Sequence, residues 1–253
     1  MNEFPFDAAK AKAGTGPFPE EIENDKWMLF HGSSGQFLEA IAAEGLRTPE
    51  HLFSRAELTQ LCSIFDRLNW AGHHGGGYAV LKPFSLDHDR AHSDQPSTYL
   101  AESSNRALLY ASADWSGGEA ARAVRHSVED LRSRDDLLPI EKTLISVMER
   151  KAEATKAAHT FGVVYALLFG ETSLSGLDYA NPGMGVKALQ RIPPTRIAGF
   201  VRVPGDWVQT VGPDKRRRER MFEDGIVSRL RELSQAQQVV RADGPRAARS
   251  ARR

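Results

Sequence analysis

The sequence predicts a domain of the α+β class, in which a few buried strands pack against several amphipathic helices. Three apolar runs, 26–30, 161–169 and 197–203, are rich in β-branched and aromatic residues, as is typical of buried strands. Apolar residues recur every three or four positions over 118–158 and 214–238, which is the spacing of an amphipathic helix. We therefore expect a central strand, a helical block inserted before it and a helix near the C-terminus.

Shorter elements lie between these segments. Ser33 and Gln36 have the spacing of a capping box, which predicts a helix that begins at Ser33 and ends at a left-handed Gly45. Residues 98–101 have the pattern of a short strand, and one of the serines that follow can cap the next helix. Pro139 is expected to break the helical block in two.

The predicted organisation has three parts. Residues 1–25 are polar, contain glycine and proline and lack a sustained period, so we expect a flexible extension. Residues 26–205 hold the strand and helix patterns and form the domain. Residues 206–253 comprise a basic helix and a tail rich in alanine, arginine and glycine, which we expect to be disordered.

Composition argues against several classes of protein. Hydrophobic residues make up 41% of the chain, yet no apolar run approaches the roughly 18 residues of a membrane-spanning helix, so no membrane partner is expected. The start of the chain lacks the basic and apolar regions of a secretory signal. The single cysteine, Cys62, lies in an apolar run, which indicates a buried structural thiol and a cytoplasmic protein.

Charge is unevenly distributed along the chain, although the formal net charge is zero. Residues 213–253 contain 12 Lys and Arg against 6 Asp and Glu, so they carry +6 and residues 1–212 carry −6. The basic end can contact an acidic partner or a nucleic acid. A solvated helix followed by a disordered tail explains the same charge.

Two stretches are candidates for a functional site. The first, 27–34, brings His31 to the end of a predicted strand, beside a glycine, Gly32, whose backbone a ligand can approach closely. The second carries Tyr99 and Tyr110. The residues alone are equally compatible with a strand-end histidine and two core aromatic side chains.

A metal site is a weaker candidate, because the spacing of its possible ligands matches no closed zinc pattern. These ligands would come from the polar loops predicted within 72–96: His73, His74, Asp87, His88, Asp89 and His92.

Three motifs in order resemble the ADP-ribosyltransferase fold of the diphtheria-toxin and poly(ADP-ribose) polymerase type. Leu-Phe-His-Gly-Ser-Ser, followed by a predicted helix and Glu-Gly-Leu-Arg, resembles the opening of that fold. The stretch 98–111, with Tyr99 and Tyr110 eleven residues apart, resembles its second motif. Ile-Pro-Pro-Thr-Arg-Ile at 192–197 resembles the proline turn of many bacterial and phage members. The resemblance spans about residues 26–204.

The resemblance implies a split central β-sheet flanked by helices and a site that takes NAD as substrate. His31 would hydrogen-bond the ribose hydroxyls, and the backbone of Gly32 would hold the nicotinamide carboxamide with Ser33 close by. Tyr99 would line the pocket as a catalytic residue, and Tyr110 would stack on the nicotinamide ring. A flat, electron-poor ring gains from contact with an aromatic face.

The catalytic carboxylate of the family is the main departure, because residues 179–195 contain no Asp or Glu. Glu171 is the first candidate, since it follows the predicted central strand directly. Asp178 is the second, and Gln190 can hold a hydroxyl but cannot take a proton. A carboxylate matters because the reaction passes through an oxocarbenium-like ribose and can require a deprotonated acceptor.

Two functions follow from the resemblance. The first is an NAD-dependent mono-ADP-ribosyltransferase, a toxin or phage-type effector, with a protein or nucleic-acid acceptor and with loop 72–96 covering NAD or selecting the acceptor. The second is a catalytically inactive binding module on the same fold, acting through its basic C-terminal region.

Ala107, at a position where a serine of the family often contacts the carboxamide, is a further departure from the family pattern. Residues 170–185 are expected to be a loop.

Overall fold

The computed structural model confirms the α+β class, with helices packed against two small sheets. It describes residues 1–46, 53–69, 81, 98–116, 118–170, 174, 176–181, 185–212, 214–223 and 225–235. The strands are β1 (Asn2–Phe4), β2 (Met28–Ser34), β3 (Thr98–Leu100), β4 (Phe161–Leu168), β5 (Leu177–Asn181), β6 (Gly185–Ala188) and β7 (Ile197–Pro204).

The helices are α1 (Ala8–Ala13), α2 (Glu20–Glu23), α3 (Leu38–Glu44), α4 (Arg55–Arg67), α5 (Ser104–Ala111), α6 (Gly118–Arg132), α7 (Pro139–Ala157), α8 (Lys215–Glu223) and α9 (226–235). None of the helices in these ranges is long and apolar enough to cross a bilayer.

The larger sheet has four strands in the order β1-β7-β4-β2. β1 runs parallel to β7, and the other pairs are antiparallel. β4 lies between β7 and β2 and is almost entirely buried, which confirms the central strand predicted at 161–169. The smaller sheet is antiparallel, in the order β3-β6-β5.

One antiparallel bridge joins the two sheets in the described part of the chain. The backbone N–H of Phe30 donates to the carbonyl of Ala101 over 2.9 Å, and the N–H of Ala101 donates back over 2.6 Å. The rest of β3 pairs with β6 instead. Among the described residues, backbone pairing therefore links the two sheets at this one bridge, next to His31.

The core has three parts. One face of the larger sheet packs against the smaller sheet and helices α8 and α9. The opposite face packs against α5 and the N-terminal segment, where the rings of Phe18 and Phe30 are tilted with centroids 5.6 Å apart. The third part lies among α4, α6 and α7 and contains Cys62, so the prediction of a buried thiol is confirmed.

The helical block breaks where the sequence predicts it, since α6 ends at Arg132 and α7 begins at Pro139. The C-terminal helix packs on the body but is interrupted, because α8 ends at Glu223 and α9 begins at 226. The N–H of Ile226 donates to the carbonyl of Lys26 at this break. Met221, Ile226 and Leu230 face the core as expected, whereas Leu233 is exposed.

The helix predicted from Ser33 begins later, and that prediction is wrong. β2 continues through Ser34 because each of its residues pairs with β4, as far as Ser34 opposite Gly162. The Gln36 amide donates to the Ser34 hydroxyl over 3.2 Å, so no capping box forms. Gly45 has the expected positive φ of 82°, but its ψ of −179° is not that of a left-handed cap. His31 therefore lies within a strand and not at its end.

Residues 1–25 also differ from the flexible extension that the sequence predicts. β1 pairs with β7, Phe18 is fully buried, and the Asn105 amide donates to the carbonyl of Gly14. Glu23 is only 8% exposed, and its carboxyl group contacts the Ser104 hydroxyl at 2.7 and 2.8 Å and accepts from the N–H of Phe18. Short polar segments escape sequence detection because partners distant in sequence order them.

The carboxyl group of Glu23 makes the stability of the protein depend on pH. Burial raises its pKa from 4.5 to about 7, against the opposing effects of the bonds from Ser104 and Phe18 and the charge of Arg217. The folded state therefore binds this proton more tightly than the unfolded state, and its contribution to stability falls as pH rises from about 4.5 to about 7. The shift corresponds to about 3 kcal/mol.

We expect Glu23→Gln to remove this contribution, since the amide is neutral at every pH. Urea unfolding at several pH values between 4 and 8 gives the free energy of unfolding as a function of pH. The difference in slope between wild type and variant measures the contribution of Glu23, because the histidines contribute equally to both curves. Glu21→Gln, at an exposed position of the same helix, is the matched control. Parallel curves for wild type and Glu23→Gln would contradict the assignment.

Candidate functional site

His31 connects the two motifs that the sequence singles out. Its Nδ1 lies 3.0 Å from the carbonyl oxygen of Tyr99, 68 residues along the chain. A carbonyl only accepts hydrogen bonds, so the Nδ1–H of His31 is the donor. This bond lies beside the Phe30–Ala101 bridge and closes the gap where the two sheets separate.

The same bond determines what the other ring nitrogen can do. Burial lowers the pKa of His31, and the bond to Tyr99 only partly opposes the effect, so the imidazole is neutral near pH 7. With the proton on Nδ1, Nε2 carries a lone pair and can accept a hydrogen bond from a ligand hydroxyl. The ring stacks near Tyr165, with centroids 6.5 Å apart.

Gly32 presents its backbone to the open edge of β2. Because alternate residues of an antiparallel strand point their N–H and C=O to the same side, those of Gly32 share the direction of Phe30, away from β4. Beyond the Phe30–Ala101 bridge the pairing with the second sheet does not continue in the described residues. The N–H donor and C=O acceptor of Gly32 therefore lie side by side at this edge, and they match the oxygen and the NH₂ group of a carboxamide.

The close approach that glycine allows at Gly32 is used by helix α5. A Cβ atom on Gly32 would lie 1.9 Å from the carbonyl oxygen of Ala107, and one on Gly162 would lie 1.9 Å from that of Ala111. Two neighbouring strands thus carry glycine where the helix backbone touches the sheet. Ala107, which departs from the family's serine, is fully buried in this contact.

The two tyrosines occupy different surroundings. Tyr99 is 47% exposed and points away from the core face that buries its neighbour Leu100. Tyr110 lies on α5, half-buried, with its ring 4.7 Å from that of Trp115 in an edge-on arrangement. Ser33 is half-buried and pairs with Val163. The structure thus joins His31 to the main chain of Tyr99 and places Tyr110 on the helix that covers Gly32.

Of the predicted carboxylates, Glu171 lies outside the described residues. Asp178 lies on β5 opposite Lys187, which is itself opposite Tyr99 on β3, so the three form one row across the outer face of the smaller sheet. The sequence prediction of a loop at 170–185 is wrong for this region. The sequence holds a short signal for strand β5, because the apolar residues Leu177 and Tyr179 alternate with the polar Asp178.

Gln190, the neutral candidate, is exposed and lies against Gly176. A separate pocket of about 580 Å³ opens at the far end of β2, and none of the predicted NAD-site residues lines it. Its lining consists of Trp27, Leu168, Phe169, Gly170, Pro193, Thr195 and Arg196.

The metal alternative gains nothing from the described residues, since no group of three or more His, Cys, Asp or Glu among them is placed to hold an ion. The loop histidines and aspartates on which that alternative depends lie outside the described ranges.

We expect Gly162→Ala to lower the free energy of unfolding by about 1–3 kcal/mol, because the new methyl group displaces α5 from the sheet. Gly212→Ala is the matched control, since a Cβ there has no atom within 4 Å and the change should stay within about 0.5 kcal/mol. Urea denaturation measures both. Equal stability of the two variants would show that the helix does not depend on this contact.

The chain matches no model of a known protein family, no curated protein and no solved structure. The assignment of a function therefore depends on the chain's own residues and geometry.

Proposed function

We propose that the protein is an NAD-dependent mono-ADP-ribosyltransferase-like protein that transfers ADP-ribose to a protein or nucleic-acid acceptor. The observation that carries the proposal is the bond from His31 Nδ1 to the Tyr99 carbonyl. It brings together two segments that were selected from the sequence for the same site. It also leaves a neutral, accepting Nε2 at the separation of two small sheets.

The junction of the two sheets, at the Phe30–Ala101 bridge, holds residues that suit the nicotinamide riboside half of NAD. Nε2 of His31 would accept from a ribose hydroxyl. The N–H and C=O of Gly32 would pair with the oxygen and amino group of the carboxamide. Tyr110, on the helix that packs on Gly32, would supply an aromatic face to the ring.

In the proposed reaction the bond between the ribose carbon and the nicotinamide nitrogen breaks and nicotinamide leaves. A nucleophilic atom of the acceptor forms a new bond to the same carbon, and its proton passes to a base. A carboxylate facing the ribose would stabilise the oxocarbenium-like transition state. Glu171 and Asp178 are the two candidates for that group, and Tyr99 would line the pocket beside it.

We expect calorimetry to detect binding of NAD at millimolar concentration or below, and His31→Ala to weaken it about 10-fold through loss of one hydrogen bond. His126→Ala, at an exposed histidine of α6, is the matched control and should bind as wild type does. Absence of binding by wild type, or equal affinity of the His31 variant, would remove the pocket assignment.

A second function, a catalytically inactive binding module on the same fold, is favoured by one observation. The residue directly opposite Tyr99 in the smaller sheet is Lys187, a cation, whereas the enzyme would need a carboxylate beside Tyr99. In this alternative the basic C-terminal region would engage an acidic partner. Lys215, Arg216 and Arg220 are exposed on α8, whereas Arg217 is buried and unavailable to a partner.

Release of nicotinamide from labelled NAD separates the two functions. If the protein is an enzyme, we expect Glu171→Gln to lower turnover by about 10²–10³ with little change in NAD affinity, because it removes a positioned charge. Asp178→Asn tests the other carboxylate, and Glu129→Gln, exposed on α6, is the control. If wild type neither releases nicotinamide nor labels an acceptor, the proposal of enzymatic activity is wrong and the site at most binds NAD.

A further inference from the structure

The pocket at the far end of β2 is separate from the proposed nicotinamide site. Its wall includes Trp27, which directly precedes β2, and Leu168, the last residue of β4, which pairs with Met28. His31 lies three residues beyond Met28, which is about 10 Å of extended strand. A small molecule in this pocket would therefore not contact His31.

Another part of the wall is a short turn that contains two consecutive prolines. Pro193 and Pro194 fix two φ angles, and the N–H of Arg196 donates to the carbonyl of Pro193 over 3.0 Å. Just before the turn, the N–H of Ile192 donates to the carbonyl of Leu46 over 2.7 Å and fastens it to the body. A wall held in this way is formed before a ligand arrives, which lowers the ordering cost of binding.

The polar side chains of the lining can all donate hydrogen bonds. They are the Arg196 guanidinium, the indole N–H of Trp27 and the hydroxyl of Thr195. Within the described residues, no side-chain hydrogen bond or ion pair is formed by any of the three, and their lining contains no Asp or Glu. Arg196 is half-buried, so an unpaired cation lies at the wall of an otherwise largely apolar pocket. Such a lining attracts an anion with an apolar body.

We propose that this pocket binds a small organic carboxylate with an aromatic body. The guanidinium of Arg196 would bind both carboxylate oxygens through its paired N–H groups. The ring of Trp27, together with Leu168 and Phe169, would cover the aromatic body. The site is independent of NAD, since none of its lining residues belongs to the proposed nicotinamide site.

An aromatic monocarboxylate fits this lining better than a phosphate ion or a protein surface. One guanidinium matches one carboxylate in charge and in geometry, whereas a phosphate dianion would keep an uncompensated charge. The apolar lining also stabilises a body that a phosphate ion lacks. The volume of about 580 Å³ is that of a small-molecule pocket, while a protein partner needs a contact of roughly 800 Å² on each side.

Three compounds test the two halves of this chemistry. Naphthalene-2-acetate is the probe, its amide is the uncharged analogue, and acetate is the anion without an aromatic body. We expect calorimetry of the full chain at neutral pH to give a Kd of about 1 mM or below for the probe. The amide should bind about 10-fold more weakly, because it cannot pair with the guanidinium charge, and acetate should also bind at least about 10-fold more weakly, because it buries no ring.

Substitution of Arg196 locates the site. Arg196→Gln should weaken binding of the probe about 10-fold and change binding of the amide less than about twofold, since only the acid uses the charge. Arg150→Gln, at an exposed arginine of α7, is the matched control and should bind the probe as wild type does. Arg196→Lys keeps the charge without the planar fork and should fall between wild type and Arg196→Gln. Thermal unfolding checks the fold of each variant, and Arg196→Lys provides the second measurement if Arg196→Gln is destabilised.

The proposal requires selectivity for the acid and loss of that selectivity in Arg196→Gln. No binding of the probe to wild type at about 10 mM, or equal affinity for the probe and either its amide or acetate, would overturn it. Unchanged binding of the probe by both Arg196→Gln and Arg196→Lys would also overturn it, because the acid would then lie elsewhere. None of these outcomes involves NAD, so the carboxylate site can stand where the proposed function fails, and the reverse.

Discussion

The backbone bridge between Phe30 and Ala101, with the bond from His31 to the Tyr99 carbonyl beside it, is the constraint on which the structure depends. Each sheet buries one face against the other, yet among the described residues their backbones pair only at this bridge. An imidazole at the point of separation satisfies a carbonyl that a continuous sheet would pair with an N–H. The fold thereby leaves a functional side chain and an open strand edge, that of Gly32, at one place.

Two buried ionisable side chains, Glu23 near the start of the chain and Arg217 near its end, pack beside this junction. The guanidinium of Arg217 is 3% exposed, donates to the carbonyls of Glu102, Met28 and Asp25, and lies over the ring of Phe30. Burial lowers the pKa of Arg217 to about 10, while the charge of Glu23 opposes the shift. A buried cation is costly unless its donors are satisfied, so α8 can pack here only where these carbonyls converge. Residues 1–25 and helices α8 and α9 are therefore part of the domain and not appendages to it.

Helix α5 connects this junction to the proposed nicotinamide site. Its backbone rests on Gly32 and Gly162, its first turn contacts Glu23 through Ser104, and its last turn presents Tyr110 to Trp115 and so to Arg122. A shift of this helix would therefore move Tyr110, the proposed ring-stacking residue. Small residues on the sheet set its height, because close packing leaves no room for an extra methyl group.

Local pattern alone determined the elements that carry a strong period. β4, the pair of helices on either side of Pro139 and the apolar face of the C-terminal helix could all be predicted, because their side chains alternate or recur at fixed spacing whatever their partners. His31, Gly32, Tyr99 and Tyr110 could be selected as candidates by residue type and order. Tertiary structure decided the rest. β1, β5 and β6 are too short to show a strong period, and Ser34 remained in a strand because β4 pairs with it. The contact of His31 with Tyr99 depends on pairing between segments 68 residues apart in the chain, which no local window contains.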